Sequence, residues 1–297
     1  MATTPRRTYT TLTTRGLRHD MLPMRLYHKA KKLGIWDPRA IDLTQDVQDW
    51  QRLPDDYKER LRGLILSFQA GEEAVTIDLL PLVMTMGREG RLEEEMFLTT
   101  FLWEEAKHTE FFRRVLDEVL QEQGDLHQVR SADNTTRDLF ADDLPYTMNR
   151  LLTDPSPVNQ VKASVLYNMI VEGVLAETGY YSFSRMLSAE HMMPGLLQGI
   201  QLIKRDESRH IAYGVFLISR LVAQDQSLWP VVEERMHGYF NAIARSQEEN
   251  GTHEAVRDYA RQQFEKRLSR IARARSQTLE QIYQETESEE TAETEIV

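Results

Sequence analysis

Two stretches of this chain set an acid and a histidine three residues apart in the middle of apolar, helix-periodic sequence. They are "WEEAKHTEFF", which carries Glu105 and His108, and "DESRH", which carries Glu207 and His210. On a helix, residues three, four or seven apart share a face. For Glu105 those positions hold Leu98, Phe101, Leu102, His108 and Phe112, so the acid points inward. Glu104 sees Thr100, Lys107 and Phe111, a more mixed face. Glu72 shares its face with Ile65, Phe68, Val75 and Leu79, and Glu172 with Val165, Met169, Leu175 and Ala176. Glu207 lies with Ile200, Ile203, His210 and Ile211. Four glutamates on four helical segments therefore face one interior.

An ionised carboxylate buried without compensation costs several kcal/mol even after relaxation. The four acids must be protonated, paired with bases, or bound to metal. Only Lys204 neighbours any of them on an inward face. Two divalent cations would offset four carboxylates charge for charge, with both histidines ligating as neutral imidazoles. A glutamate on each of two helices, with Glu-x-x-His on each of two others, is the ligand set of di-iron and di-manganese bundles. A single Glu-x-x-His is weak, since an acid-rich chain should hold roughly one by accident. Glu234 and His237 in "EERMHGYF" form such a pair with no partner glutamates and read as a decoy. His19, His28, His127, His191 and His253 lie near segment ends and read as surface or capping residues.

The remaining sequence fits this reading. No cysteine is present, so thiolate sites and disulfides are excluded. With 47 acids against 36 bases the net charge is −11, which disfavours nucleic acid as a partner. No apolar run reaches the ~18 residues of a membrane span. Four long helical segments begin near Pro54, Gly90, Asp154 and Met193, and two more helices are expected over 227–248 and 252–284. Gly71 and Pro81 would loosen or kink the first. The expected class is all-α, an antiparallel bundle with additional helices. A single domain is expected over 1–285, with 1–23 as a loose Thr/Arg-rich arm. The stretch 286–297 would be an acidic, disordered tail. The N-terminus lacks the apolar segment of a secretory signal, and a cytoplasmic protein is expected.

The order Glu72, Glu105-x-x-His108, Glu172, Glu207-x-x-His210 resembles the ferritin-like superfamily. "WDPRAIDLTQDVQDW" (Trp36 to Trp50) resembles the segment before the first metal helix of ribonucleotide reductase small subunits, and the match runs from about residue 24 to 250. That resemblance implies that Asp206 hydrogen-bonds a metal histidine and that Trp36 joins the same network. Two departures stand out. Phe112 occupies the place of the radical tyrosine, and Glu72 stands where the classical subunit has aspartate. "FQAGEEAVT", "LTTFLWEEAKHTE" and "DPSPVNQVKASVLYNMIVEGVLAETGYY" look more like the ligand-binding oxidases that resemble the small subunit.

Similarity to those oxidases implies an O2-activating two-electron oxidase. Manganese would sit with Glu72, Glu105 and His108, iron with Glu172, Glu207 and His210, and Glu105 would bridge. Oxygen and nitrogen ligands alone leave two irons open. The resemblance further implies an ether cross-link between Val75 and Tyr167, a bound long-chain fatty acid with Tyr180 on its cavity wall, and a homodimer. A ribonucleotide reductase small subunit lacking the radical tyrosine is the alternative. A storage or structural ferritin-like bundle is a third.

Overall fold

The computed structural model describes residues 9–122, 138–187 and 192–284, and every regular element among them is helical. In chain order these are α1 (Leu22–Leu33), α2 (Thr44–Arg52), α3 (Asp55–Asp78), α4 (Leu80–Arg88), α5 (Leu92–Arg114), α6 (Leu144–Thr153) and α7 (Pro157–Ser164). They continue as α8 (Glu177–Leu187), α9 (Pro194–Gln224), α10 (Trp229–Glu249), α11 (Glu254–Ala272) and α12 (Leu279–Gln284). No helix among the described residues is long and apolar enough to cross a membrane.

Proline marks many of the starts. It occupies one of the first two positions of α1, α4, α6, α7, α9 and α10, where its fixed φ suits the helix and its missing N–H is no loss. The same chemistry turns the expected kink at Pro81 into a break. α3 ends at Asp78, Leu79 joins it to α4, and Pro81 sits in the first turn of the new helix.

α7 and α8 form one rod through a π-helical segment, Val165–Ala176, in which every residue from Val165 to Val174 is buried. Wide π turns of this kind are concentrated at functional sites. This segment carries Tyr167 and Glu172. A residue run buried on all sides has no amphipathic stripe, so the periodicity of the sequence gives no sign of the altered winding.

α3 and α5 pack against each other, α9 packs on the π segment, and α1 lies across α5 and α9. α10 and α11 cover the outer side of the π segment. α9 is the longest element, and two glycines let its neighbours close in. A Cβ at Gly199 would lie 1.9 Å from Phe111, and one at Gly214 would lie 2.2 Å from Asn168. The start of α9 is fixed by α2. Asp46 accepts from the N–H groups of Gly195 and Leu196 at 2.9 and 2.6 Å, and Asp49 from Met193 at 2.8 Å. Two buried carboxylates thus satisfy amides that a helix start leaves orphaned, where the dipole also favours negative charge. They hold the helix that carries Glu207 and His210.

Of the arm expected over 1–23, residues 1–8 lie outside the described residues, as does the acidic tail 286–297. From Arg15 onward the arm is anchored. The Arg15 guanidinium meets both oxygens of buried Glu93, at 3.1 and 2.9 Å, and the Arg18 N–H donates to the same carboxylate at 3.0 Å.

Candidate metal centre

α3, α5, the π segment and α9 deliver Glu72, Glu105, His108, Glu172, Glu207 and His210 to one point, all of them buried. They form two overlapping groups whose nitrogen and oxygen atoms lie within 4.8 Å of one another. One contains Glu72, Glu105, His108 and Glu207, and the other Glu105, Glu172, Glu207 and His210. Glu105, expected to bridge, belongs to both groups, and so does Glu207.

The histidines are oriented alike. The Nδ1 of His108 faces Glu72, Glu105 and Glu207 at 3.5, 3.6 and 3.5 Å. The Nδ1 of His210 faces Glu105, Glu207 and Glu172 at 3.0, 3.5 and 3.7 Å. Each Nε2 turns outward to a different acid, His108 to Asp206 at 3.4 Å and His210 to Glu104 at 2.9 Å. A carboxylate behind a ligating imidazole fixes its tautomer and ring direction. Phe101 stacks flat on His210 with centroids 3.6 Å apart, which leaves that ring little freedom to swing.

The outer acids have their own cations. Arg209 reaches both Glu104, at 2.6 Å, and Asp206. Lys107 donates to Asp206 at 2.9 Å and to the Gly34 carbonyl at 2.6 Å, and its ammonium lies 4.4 Å from the centre of the Trp36 ring. Trp36 donates its indole N–H to Asp206 at 2.7 Å. The inner four glutamates meet no such partner. Both oxygens of Glu105, one each of Glu172 and Glu207, and the Nδ1 of each histidine are buried without a hydrogen-bond partner. Orphaned polar atoms are rare in folded interiors. Here six converge on one point, and all are metal-ligand atom types. The donor set therefore fits a pair of divalent cations.

The electrostatics of the cluster agree. Burial pushes the Glu72 carboxyl up to about 8 and Glu172 well above the usual carboxylate range, with like-charged neighbours adding to the rise. Burial pushes Glu105 up as well, but the rings of His108 and His210 outweigh it and hold that carboxyl at about 2. Burial works against charge on both imidazoles, yet the surrounding carboxylates raise them well above their ordinary value. The acids demand positive charge at this point, and without metal only protons supply it.

Val75 and Tyr167 also meet here. The Tyr167 hydroxyl donates to the Val75 carbonyl at 2.8 Å, both residues being buried. The Tyr180 hydroxyl reaches Glu207 at 3.4 Å. A cavity of about 240 Å³ opens beside them. Glu72, Glu172 and Glu207 lie at one part of its wall, with Phe68, Val75, Phe140, Val171 and Leu175 among the rest. Tyr180 is not in that wall, but its ring packs at a tilt against Phe68, which is, with centroids 5.1 Å apart.

Glu234 and His237 are exposed, and among the described residues they belong to neither metal-capable group. His253 caps α11 by accepting from the Ala255 N–H at 3.2 Å, and His19 stacks on His28 near the start of α1. His127 and His191 lie outside the described residues. Sequence reasoning missed Glu104, Lys107 and Arg209. The signal for Glu104 was present, because both motifs read acid-Glu-x-x-His.

An all-helical bundle that gathers four glutamates and two histidines at one buried point defines a ferritin-like carboxylate protein. The chain belongs to the ribonucleotide reductase small-chain family, whose model matches residues 23–270. Solved structures similar to it include oxidases. One solved structure is a single-residue variant of an R2-like ligand-binding oxidase with anaerobically reconstituted Mn/Fe cofactor. It is 36% identical, with 90% of this chain and 100% of that one covered and a TM-score of 0.85. A second variant of such an oxidase, with a non-activated Mn/Mn cofactor, is 36% identical over 91% of this chain and 100% of that one, also at 0.85. A third is the R2-like ligand-binding oxidase from Sulfolobus acidocaldarius, 36% identical over 93% of this chain and 98% of that one, again at 0.85. These relatives support an oxidoreductase.

Proposed function

We propose that the chain is an O2-dependent two-electron oxidase. It would hold manganese with Glu72, Glu105 and His108 and iron with Glu172, Glu207 and His210, and bind a long-chain fatty acid or similar molecule in the adjoining cavity. The observation that carries this reading is the shared wall: Glu72, Glu172 and Glu207 belong both to the metal-capable groups and to an otherwise largely apolar cavity. Ligand pockets are commonly apolar with a few convergent polar groups. A carboxylate headgroup at the acid-lined part is compatible with this arrangement only when cations sit there.

A bound manganese/iron pair would supply the reduction of O2. The chain's own residues do the rest. Asp206 and Glu104 hold the imidazoles in place, the phenylalanines around the centre keep water out, and the Val75 carbonyl receives the Tyr167 hydroxyl. Burial and the nearby carboxylates raise the Tyr167 phenol well above its ordinary value, so it stays protonated until oxidised. Linking the Tyr167 oxygen to the Val75 β-carbon removes the phenolic hydrogen and one C–H hydrogen. Those two protons and two electrons would reduce one O2 to the level of hydrogen peroxide.

Peptide mass spectrometry of protein loaded aerobically with manganese and iron tests the reading. The expected result is a Val75–Tyr167 linked peptide lighter by two hydrogens, together with two metal ions per chain. Metal-loaded protein whose two peptides stay separate and of full mass would refute the cross-link, and protein that takes up neither metal would refute the oxidase. The alternative is a reductase small subunit without the radical tyrosine, with which the family match is also compatible. Co-purification with a large reductase subunit and support of nucleotide reduction would establish it.

A further inference from the structure

Four inward glutamates look equivalent in the sequence, and the structure makes them unequal. Asn168 lies one turn before Glu172 in the π segment and is fully buried. Its amide donates to Glu172 Oε2 at 3.0 Å, while its own oxygen accepts from the Ser164 hydroxyl at 2.8 Å. On its other side α9 runs so close that a Cβ at Gly214 would fall 2.2 Å from the Asn168 Cβ and 2.7 Å from its Cγ. The amide is thus held from two sides, with its N–H aimed at one oxygen of Glu172.

The consequence for Glu172 is specific. Oε2 is occupied by the amide, and Oε1 is left buried, unpartnered and 3.7 Å from the Nδ1 of His210. Glu207, on the same side, accepts a longer contact from Tyr180 at 3.4 Å. Glu105, shared by both sides, has no hydrogen-bond partner, and on the other side Glu72 meets the Nδ1 of His108 at 3.5 Å. Glu172 is therefore tied to the π segment by an amide, whereas Glu72, its counterpart on the other side, faces only the His108 ring.

We propose that Asn168, anchored by Ser164, is the positioning residue that confines Glu172 to a single ligating oxygen and so makes the two half-sites prefer different metals. Affinity alone ranks the first-row ions in a fixed order at any nitrogen and oxygen site. Discrimination must then come from geometry and from how freely the ligands rearrange. A carboxylate with one oxygen held by an amide cannot swing to chelate. Released from the amide, Glu172 can offer both oxygens, and the two halves become more alike. The inference rests on the metal-binding reading above.

The test is anaerobic loading with equal Mn(II) and Fe(II), followed by metal analysis, anomalous scattering at each position and chelator competition. It compares wild type with Asn168→Ala, Ser164→Ala and Ser164→Thr. In wild type one ion of each kind is expected per chain. Asn168→Ala should weaken binding of one ion by roughly ten- to hundred-fold, the usual cost of losing a hydrogen bond behind a ligand, and mix the metals between positions. Ser164→Ala should do the same to a smaller extent, and Ser164→Thr, which keeps the hydroxyl, should restore the wild-type distribution. A merely structural role would lower the melting temperature without moving the distribution. Should Asn168→Ala fail to fold, the Ser164 pair carries the comparison. Variants that keep the wild-type affinities and distribution overturn the inference and leave the functional reading intact. Wild-type protein that binds neither metal sinks that reading itself.

Discussion

His210 and Glu104 lie on different helices, yet Nε2 of the one is 2.9 Å from Oε2 of the other. The relation is reciprocal, because Asp206, four residues before His210, faces His108 on the helix that carries Glu104. Each Glu-x-x-His helix thus supplies the acid that orients the other's imidazole, and Arg209 spans both acids. The two helices cannot slide independently without losing both pairs. Glu104→Ala should lower affinity for the ion held by His210 by roughly ten- to hundred-fold. Glu104→Gln, which still offers His210 an oxygen, should lose less. Competition against a chelator measures both, and an alanine variant that binds as wild type removes Glu104 from the site.

Why Glu104 escaped the sequence while Glu105 did not is a matter of where each acid's partners lie. Glu105 shares its face with apolar neighbours on its own helix, and periodicity reports that. Glu104 is satisfied by His210 and Arg209, a hundred residues away, and with Thr100 and Lys107 beside it on its own helix its face reads as mixed. Lys107 was hidden for the same reason, since its buried ammonium is matched by Asp206 and Gly34 on other segments. Trp36 and Asp206 were legible only through family resemblance. The six inward residues, by contrast, could be read from helical faces alone, because burial of like charges is a constraint that acts within each helix.

Gly199 is the clearest point at which packing tolerates no side chain. The Phe111 ring lies against its backbone, and an added Cβ would meet three ring carbons at 1.9, 2.3 and 2.5 Å. Phe111 is fully buried and cannot move outward without opening a void. Gly199→Ala should therefore destabilise the metal-free protein by about 1–3 kcal/mol, the usual cost of overpacking. Urea unfolding of metal-free wild type and variant measures the difference, and an unchanged midpoint would show that α9 is free to withdraw.

Gly179 offers a way to narrow the cavity without touching a metal-capable residue. A Cβ there would lie 2.4 Å from the tip of the Phe68 ring, and both residues line the cavity. Phe68 is hemmed in by Phe112, Tyr180 and Phe183 at 5.1, 5.1 and 5.3 Å, so the ring's escape is towards the open volume. Gly179→Ala should cut the amount of hydrophobic ligand that co-purifies, and Phe68→Ala added to it should restore binding. Organic extraction and mass spectrometry give the readout. Equal ligand content in all three proteins would place the ligand elsewhere.

The contact between Arg15 and Glu93 sets a pH signature outside the metal centre. Burial tends to push the Glu93 carboxyl up, but the Arg15 guanidinium and the Arg18 N–H outweigh it and hold the group below its ordinary 4.5. A carboxylate depressed on folding adds stability that is complete above its unfolded value and is lost as pH falls through the folded one. Arg15 is 43% exposed, so solvent screens the pair and its contribution should be only about 1 kcal/mol. Arg15→Ala should therefore unfold more easily than wild type at neutral pH. With the guanidinium gone, burial raises the Glu93 carboxyl, so the buried charge destabilises the variant at neutral pH and that penalty is relieved as pH falls and the proton is taken up. Only once pH has fallen below the depressed folded value of Glu93 in wild type, where the carboxyl is protonated in both proteins, should the two curves converge. Urea midpoints collected from acid to neutral pH test this. A difference that stays constant across that range would mean that Arg15 contributes through packing of its side chain and not through its charge.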